Sequence, residues 1–357
     1  MKVAIVHDWL VTYRGGEKVL EALCEMYPSA PIYTLFYCED ELPAFLRQRK
    51  VVAPAFLAKW FRYRKFLLPF LPSFIESFDL DKYDLILSTS SCVAKGAVCA
   101  PEARHVSYIH SPMRYIWDQR TNYLPRRGVK AVLMHWVAHY MRIWDYMSSQ
   151  RIDTLVANSN FVAKRISRYY SRDSVVIPPP VDVDFFELPE EVVERTYYLC
   201  FGALVPYKRF DLVVRSASGL KYKLIVAGKG EELERLKRMV PQGVQVDFIE
   251  NPSQGELKRL YQGARALIFP GLEDFGIVPI EAMCCGTPVI AYGAGGALDY
   301  VVPGITGVLF EQQTTAALID AVDHFEQHTF DPGVLQNYAE KYSKQAFQHK
   351  MRELLEG

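Results

Sequence analysis

The feature that most restricts the fold is an alternation of short apolar runs with helical stretches, which occurs once on each side of Pro178-Pro179-Pro180. Before the prolines the runs are Val3 to Val6, ending at His7-Asp8, then Ile32 to Phe36, Asp84 to Leu87, Arg104 to Ile109 and Leu155 to Ala157. After them come Tyr197 to Phe201, Leu224 to Ala227, Val244 to Ile249, Ala266 to Phe269 and Val289 to Ala291. Each run has strand length, and helical composition lies between them, as in 19–26, 231–239, 256–264 and 316–325. Strands that alternate with helices pair in parallel through right-handed crossovers. The expected class is therefore α/β, with two doubly wound, Rossmann-like parallel sheets and a cleft between them. Three successive prolines continue neither helix nor sheet and form a stiff connector, so the domain boundary belongs there. The expected division is 1–180, 181–340 and a C-terminal helix within 341–357 that either crosses back onto the first domain or simply ends the chain.

Composition narrows the function. The chain has 357 residues, half of them hydrophobic, enough for two full cores. Its 41 basic and 41 acidic residues balance, which argues against a nucleic-acid binder held by bulk charge. Seven cysteines, odd in number and without Cys-x-x-Cys spacing, suggest reduced core thiols rather than a disulfide framework or a zinc ribbon. The apolar run at residues 2–7 is too short for a signal peptide, and no stretch approaches transmembrane length. Together these predict a cytoplasmic chain.

In an open parallel sheet, ligands lie beyond the carboxyl ends of the strands. The richest such stretch is Phe269-Pro-Gly-Leu-Glu273-Asp274-Phe275-Gly276-Ile277-Val-Pro-Ile-Glu281, which reads as strand, loop and helix, with Gly286 placed to end the helix. Two carboxylates thus bracket a helix N-terminus, which attracts an anion such as phosphate. A phosphate-bearing ligand with a hydroxylated sugar fits both; for Glu281 the alternative is a capping or salt-bridging role. Lys208 and Arg209 stand where the next helix begins, and cations there oppose the helix dipole, which favours a ligand role over a plain exposed start. Gly228-Lys229-Gly230 follows a strand but lacks the spacing and ribose-binding acid of a dinucleotide fingerprint.

In the first half, Gly15 and Gly16 form a glycine loop between strand and helix, equally readable as a tight turn. His110 follows a strand at a Ser-Pro turn, whereas His105 belongs to the strand itself. His135 and His139 have metal-pair spacing on a probable helix but no third ligand, so no metal site is expected. The stretch 56–72 combines large apolar residues with four cations and no acid. It suits the surface of an anionic membrane, or else a core-packing helix whose charges face water.

These residues in this order resemble the retaining glycosyltransferases of family four, of GT-B fold, and within them the WbaZ-like mannosyltransferase group. The motifs are His7-Asp8-Trp9 with Gly15-Gly16-Glu17, His110-Ser-Pro-Met-Arg-Tyr-Ile-Trp-Asp118, Ala157-Asn-Ser, Pro179-Pro-Val-Asp182, Val205-Pro-Tyr-Lys-Arg209, and Glu273 with Glu281 ahead of Gly-Thr-Pro-Val. The resemblance implies transfer of a sugar, with GDP-mannose the favoured donor, to a lipid-linked or growing saccharide at the inner membrane face, without metal or cofactor. It implies that Lys208 and Arg209 take the diphosphate and Glu281 the ribose. Glu273 and His110 would take the transferred sugar, with His110 also able to handle the acceptor proton. Gly15, Gly16, Gly228, Lys229, Asp274, Phe275, Gly276 and Ile277 complete the donor-binding set. One departure stands out: many relatives carry arginine at the position of Ala203. A UDP-sugar donor, a GT-B-type epimerase or phosphorylase, and a non-catalytic sugar-binding subunit are the alternatives.

Overall fold

The computed structural model describes residues 1–13, 15–58, 60–120 and 127–357. Its contacts divide the chain into two units, 1–179 with 347–357, and 180–346.

The first unit is built on a seven-stranded sheet of order β3-β2-β1-β4-β5-β6-β7, parallel at every pairing. Its strands are β1 Val3–Leu10, β2 Ile32–Tyr37, β3 Val51–Val52, β4 Leu85–Ser90, β5 Arg104–Ile109, β6 Thr154–Ala157 and β7 Val175–Val176. The second has a six-stranded parallel sheet of order β10-β9-β8-β11-β12-β13. Here β8 is Tyr197–Phe201, β9 Lys223–Gly228, β10 Val246–Glu250, β11 Ala264–Phe269, β12 Val289–Tyr292 and β13 Gly307–Phe310. In both sheets the strand order reverses beside the first strand, between β1 and β4 and between β8 and β11. Such a reversal opens a crevice at the strands' carboxyl ends, because successive crossovers leave to opposite faces. β4, β9 and β11 are buried along almost their whole length, as expected where both faces of a sheet are covered, and apolar residues predominate in β9 and β11.

Several local expectations need correction. β1 does not stop at His7-Asp8 but continues to Leu10, because Trp9 and Leu10 still pair with Phe36 and Tyr37. Gly15 and Gly16 are not a loop; they are the first residues of the helix Gly15–Met26. The stretch 56–72 is not one core-packing helix. Pro69 and Pro72 help divide it into short turns, Ala55–Ala58, Phe61–Tyr63, Arg64–Leu67, Leu68–Phe70 and the start of Leu71–Glu76. Leu57 and Leu71 are buried while Phe56, Trp60, Tyr63, Phe66 and Phe70 are exposed; of its cations, Lys59 lies outside the described residues.

The last helix, Lys344–Glu356, contributes to the first unit from Phe347 onward. Phe347 packs edge-on against Tyr108, Gln348 donates to the Ala22 carbonyl, and Arg104 donates to the carbonyls of Leu354 and Leu355. β13 and the helix Pro332–Ala339, which Asp331 caps ahead of Pro332, complete the second unit.

Candidate functional site

In the first unit the candidate residues gather at the carboxyl ends of β1, β4 and β5. A Cβ added to Gly16 would lie 3.7 Å from Nε2 of His110, so the helix start and the histidine are neighbours with only a glycine's width between them. His110 follows β5 directly, its carbonyl accepts from Nδ2 of Asn158 at 2.9 Å, and its ring sits edge-on to Tyr108. The motif after it is clamped from below. Arg165, itself buried, donates to Ser111 Oγ (2.9 Å), the Pro112 carbonyl (3.2 Å) and Asp118 Oδ1 (2.9 Å). Trp117 Nε1 donates to Asp145 Oδ2 at 2.7 Å, and the other oxygen of that carboxylate pairs with Lys95, both groups being fully buried. A buried pair of this kind is tolerated only when further hydrogen bonds satisfy it.

Asp8 does more than its place in the His7-Asp8-Trp9 motif suggests. Its carboxylate accepts from the backbone N–H groups of Ser91, Cys92, Val93 and Ala94 at 2.6 to 2.8 Å. It thereby fixes the turn that follows β4. Nothing in the pattern His7-Asp8-Trp9 states that the acid would cap a turn 83 residues away. Its neighbour His7 bonds to Thr89 and is held neutral: burial pulls its pKa down from 6.5 to about 4. His105 is likewise lowered to about 4 by burial, and it lies within hydrogen-bond distance of Ser88 Oγ (2.8 Å), which places it in the sheet rather than at a site.

In the second unit the candidates sit beyond β8 and β11, at the reversal of strand order. Lys208 Nζ and Glu273 Oε1 are 2.9 Å apart, with 17% and 12% of the side chains exposed. Burial pulls the Lys208 pKa down, but the Glu273 carboxylate together with Tyr207 and Cys200 more than reverses this, so the ammonium stands above the usual lysine value. Backbone contact sets the pair's position: a Cβ on Gly271 would come within 2.9 Å of the Lys208 Cα. Beneath the pair lies a cavity of about 10 Å³, room for one water, lined by Cys200, Phe201, Phe210 and Ile268 among others.

Arg209 has a left-handed backbone, φ 57°, which is uncommon for a residue with a side chain and marks a constrained turn. Its guanidinium bonds to Asp211 Oδ1 and Gln313 Oε1, each at 3.1 Å, and Gln313 in turn donates to the Pro270 carbonyl at 2.7 Å. Arg209 is thus tied to the same loop that carries Glu273. Gly228 is needed for packing: its missing Cβ would fall 1.9 Å from the Gly202 carbonyl oxygen. Lys229 is exposed, and its carbonyl accepts from Leu204, beside Ala203.

Asp274 and Phe275 are buried; the carbonyl of Phe275 accepts from the Tyr300 hydroxyl at 2.9 Å. Gly276, at φ 84°, and Ile277 lead into a helix of only seven residues, Val278–Cys284. Glu281 is in its first turn, 5% exposed, and accepts from the hydroxyl of Tyr261 at 3.0 Å. Tyr261 was not singled out in the sequence because a tyrosine in an amphipathic helix looks like ordinary core. His135 and His139 lie on the helix Val129–Gln150, where His135 Nδ1 is 2.7 Å from the Ala131 carbonyl. Among the described residues no cluster of His, Cys, Asp or Glu is placed to hold a metal ion.

Two open parallel sheets of this order, each with its polar groups at the point of reversal, define a GT-B architecture. Residues 13–185 match the family described as Glycosyltransferase Family 4, and residues 184–352 match that described as Glycosyl transferases group 1. The chain thus carries both domains in succession, almost end to end. Among curated proteins it is 27% identical over 290 residues to the D-inositol 3-phosphate glycosyltransferases of Mycobacterium tuberculosis and Mycobacterium bovis. That alignment covers 69% of this chain and 59% of those proteins' length. Its fold is similar to that of Anabaena HepE in complex with UDP, with a TM-score of 0.71, 16% identity and complete coverage of both chains. It is also similar to that of sucrose-phosphate synthase from Thermosynechococcus elongatus, with a TM-score of 0.73, 16% identity and coverage of 100% and 98%.

Proposed function

We propose that the chain is a retaining glycosyltransferase that moves a hexose, mannose from GDP-mannose in the first instance, to a lipid-linked or growing saccharide. Breaking the bond between the anomeric carbon and the donor phosphate builds positive charge on the sugar and negative charge on the leaving diphosphate. Catalysis of that step calls for fixed positive groups aimed at the phosphate. The observation that carries the reading is the Lys208–Glu273 pair, a cation and an anion held 2.9 Å apart beyond β8 and β11. The ammonium suits the leaving diphosphate, and the carboxylate suits the hydroxyls and developing charge of the sugar.

Arg209 joins Lys208 on the diphosphate, Glu281 accepts from the ribose hydroxyls, and His110 is assigned to the sugar and the acceptor proton. Loop backbone at Gly228, Lys229 and 274–277, and the helix start at Gly15-Gly16, complete the donor contacts. In a front-side reaction the acceptor hydroxyl attacks the anomeric carbon on the face the phosphate leaves, and its proton passes to the departing phosphate oxygen, either directly or relayed by His110, which returns to its starting state. No protein nucleophile and no metal enter. The stretch 56–72 is assigned to the inner membrane surface, where a lipid-linked acceptor would be met.

A labelled panel of GDP- and UDP-sugars, incubated with the chain and a membrane lipid extract, tests this by transferred label. Transfer from GDP-mannose with retained configuration is the expected result. Release of sugar without acceptor, donor binding without turnover, or a trapped sugar–enzyme adduct would each overturn part of it. A UDP-sugar donor is the second reading, favoured by the UDP and UDP-glucose present in the HepE structures; the same panel separates the two.

A further inference from the structure

The helix Val129–Gln150 is apolar on two sides, and only one of them is covered. Ala138, Met141 and Trp144 pack into the first unit's core with Leu67, Leu68 and Phe74. Opposite them, Val129, Leu133, Trp136, Tyr140, Ile143 and Met147 are all exposed, Val129 to 87% and Trp136 to 69%. Their spacing of four, three, four, three and four residues puts them on one stripe, which runs the length of a 22-residue helix, about 33 Å. A helix that is apolar all round is normally buried all round, yet among the described residues nothing covers this stripe. The turn Leu68–Phe70 packs on the same helix and brings the exposed Phe70 alongside.

Charge selects the partner. From Arg127 to Arg151 the only acid is Asp145, and it is fully buried against Lys95. The exposed flanks carry Arg127, Lys130, His135 and His139. Phe56 to Pro72 likewise contains no acid. The 3–4 spacing would also suit a coiled coil with a second copy. Such a pairing, however, would offer no carboxylate on the flanks to answer Arg127 and Lys130. Anionic headgroups supply that negative charge, acyl chains receive Val, Leu and Ile, and Trp136 and Tyr140 have the amphipathic rings that settle at the boundary.

We propose that the outward stripe of Val129–Gln150 is the chain's docking surface for an anionic lipid bilayer, lying flat in the interface. The surface extends the lipid contact assigned above to 56–72, moves its main element to this helix, and needs nothing from the sugar chemistry. No helix among the described residues is long and apolar enough to cross a membrane, so the mode is interfacial.

The test is vesicle flotation of the full chain with phosphatidylcholine vesicles, with and without phosphatidylglycerol, at low and high salt. The double variant Leu133→Glu/Trp136→Glu and, separately, Ile143→Glu are compared with the parent. Both sets alter exposed side chains, and thermal melting checks that the fold persists. The parent should float with phosphatidylglycerol vesicles, less so at high salt, and the double variant should lose at least about tenfold in partitioning. Absence of flotation by the parent, or equal flotation of folded variants, would overturn the proposal. So would a parent dimer in sedimentation velocity that the variants convert to monomer. Nucleotide-sugar titration of the same samples keeps the two readings apart: flotation without donor binding retains this surface and removes the transferase reading.

Discussion

Replacing Glu273 with glutamine should weaken sugar transfer and at the same time tighten binding of the bare nucleoside diphosphate. Lys208 is held by the Glu273 carboxylate at 2.9 Å in a mostly buried setting. A close ion pair of this kind, mostly removed from solvent, is worth on the order of 1–3 kcal/mol. A diphosphate arriving at Lys208 must share the ammonium and also tolerate the nearby carboxylate. Glutamine keeps an oxygen that can accept from the lysine but removes the negative charge, so roughly half of that hold is released. Relief of repulsion acts in the same direction. A gain of about 1.4 kcal/mol corresponds to a tenfold lower Kd. Isothermal titration of parent and Glu273→Gln with GDP and with UDP reads the effect. Turnover should fall on the order of a hundredfold, because the sugar loses its anionic contact. A Kd that is unchanged or higher in the variant would show that the diphosphate does not use Lys208, and the donor-site assignment would fall with it.

Tyr261→Phe removes the hydroxyl that holds Glu281 at 3.0 Å; KM for the donor should rise about fivefold with kcat nearly constant, and a fall confined to kcat would refute a positioning role. Asp8→Ala leaves four backbone donors of the turn at 91–94 without their acceptor, so urea unfolding should show a loss on the order of 3–5 kcal/mol; a change under about 1 kcal/mol would mean that water replaces the carboxylate. His7 and His105 have folded pKa values of about 4 against 6.5 when unfolded, so the unfolded chain binds their protons first as pH falls. Their contribution is complete above pH 6.5 and is lost between there and about 4, at about 2 kcal/mol for each histidine by pH 5. Urea titrations at stepped pH should show this slope, reduced by about half in His105→Gln; an identical slope in that variant would contradict the assignment.

The strands were legible wherever apolar runs were bounded by polar turns, because a parallel sheet covered on both faces leaves a continuous apolar signature in β9 and β11 and in the first half of β4. The paired topology followed from the alternation alone. Edges were blurred where pairing outlasted hydrophobicity, as at His7 and Asp8, whose polar side chains continue β1 because Thr89 and the turn at 91–94 satisfy them. Residues whose chemistry is recognised by type, such as Lys208, Glu273 and Glu281, could be nominated from spacing. Those that act on a distant part of the chain, such as Asp8, Arg165 and Tyr261, could not. Their meaning lies in a partner 20 to 86 residues away, which no local pattern encodes.

The candidate residues keep their shape by different means in the two units. The polar groups of the second unit are placed by backbone touching backbone: Gly228 against the Gly202 carbonyl, and Gly271 against Lys208 itself. Loops seated in this way cannot shift singly, since any side chain at the contact would displace the neighbour as well. Lys208 and Glu273 are therefore held in register by their loops, so under the proposed function little ordering cost is left for the moment of binding. The first unit reaches the same end through side chains, with Asp8 holding one turn and Arg165 with Asp145 holding the segment after His110. A ligand charge can exchange for the Glu273 partner of Lys208, because both side chains retain some exposure. The Lys95–Asp145 pair is sealed, so its role is confined to holding the 110–118 segment in place.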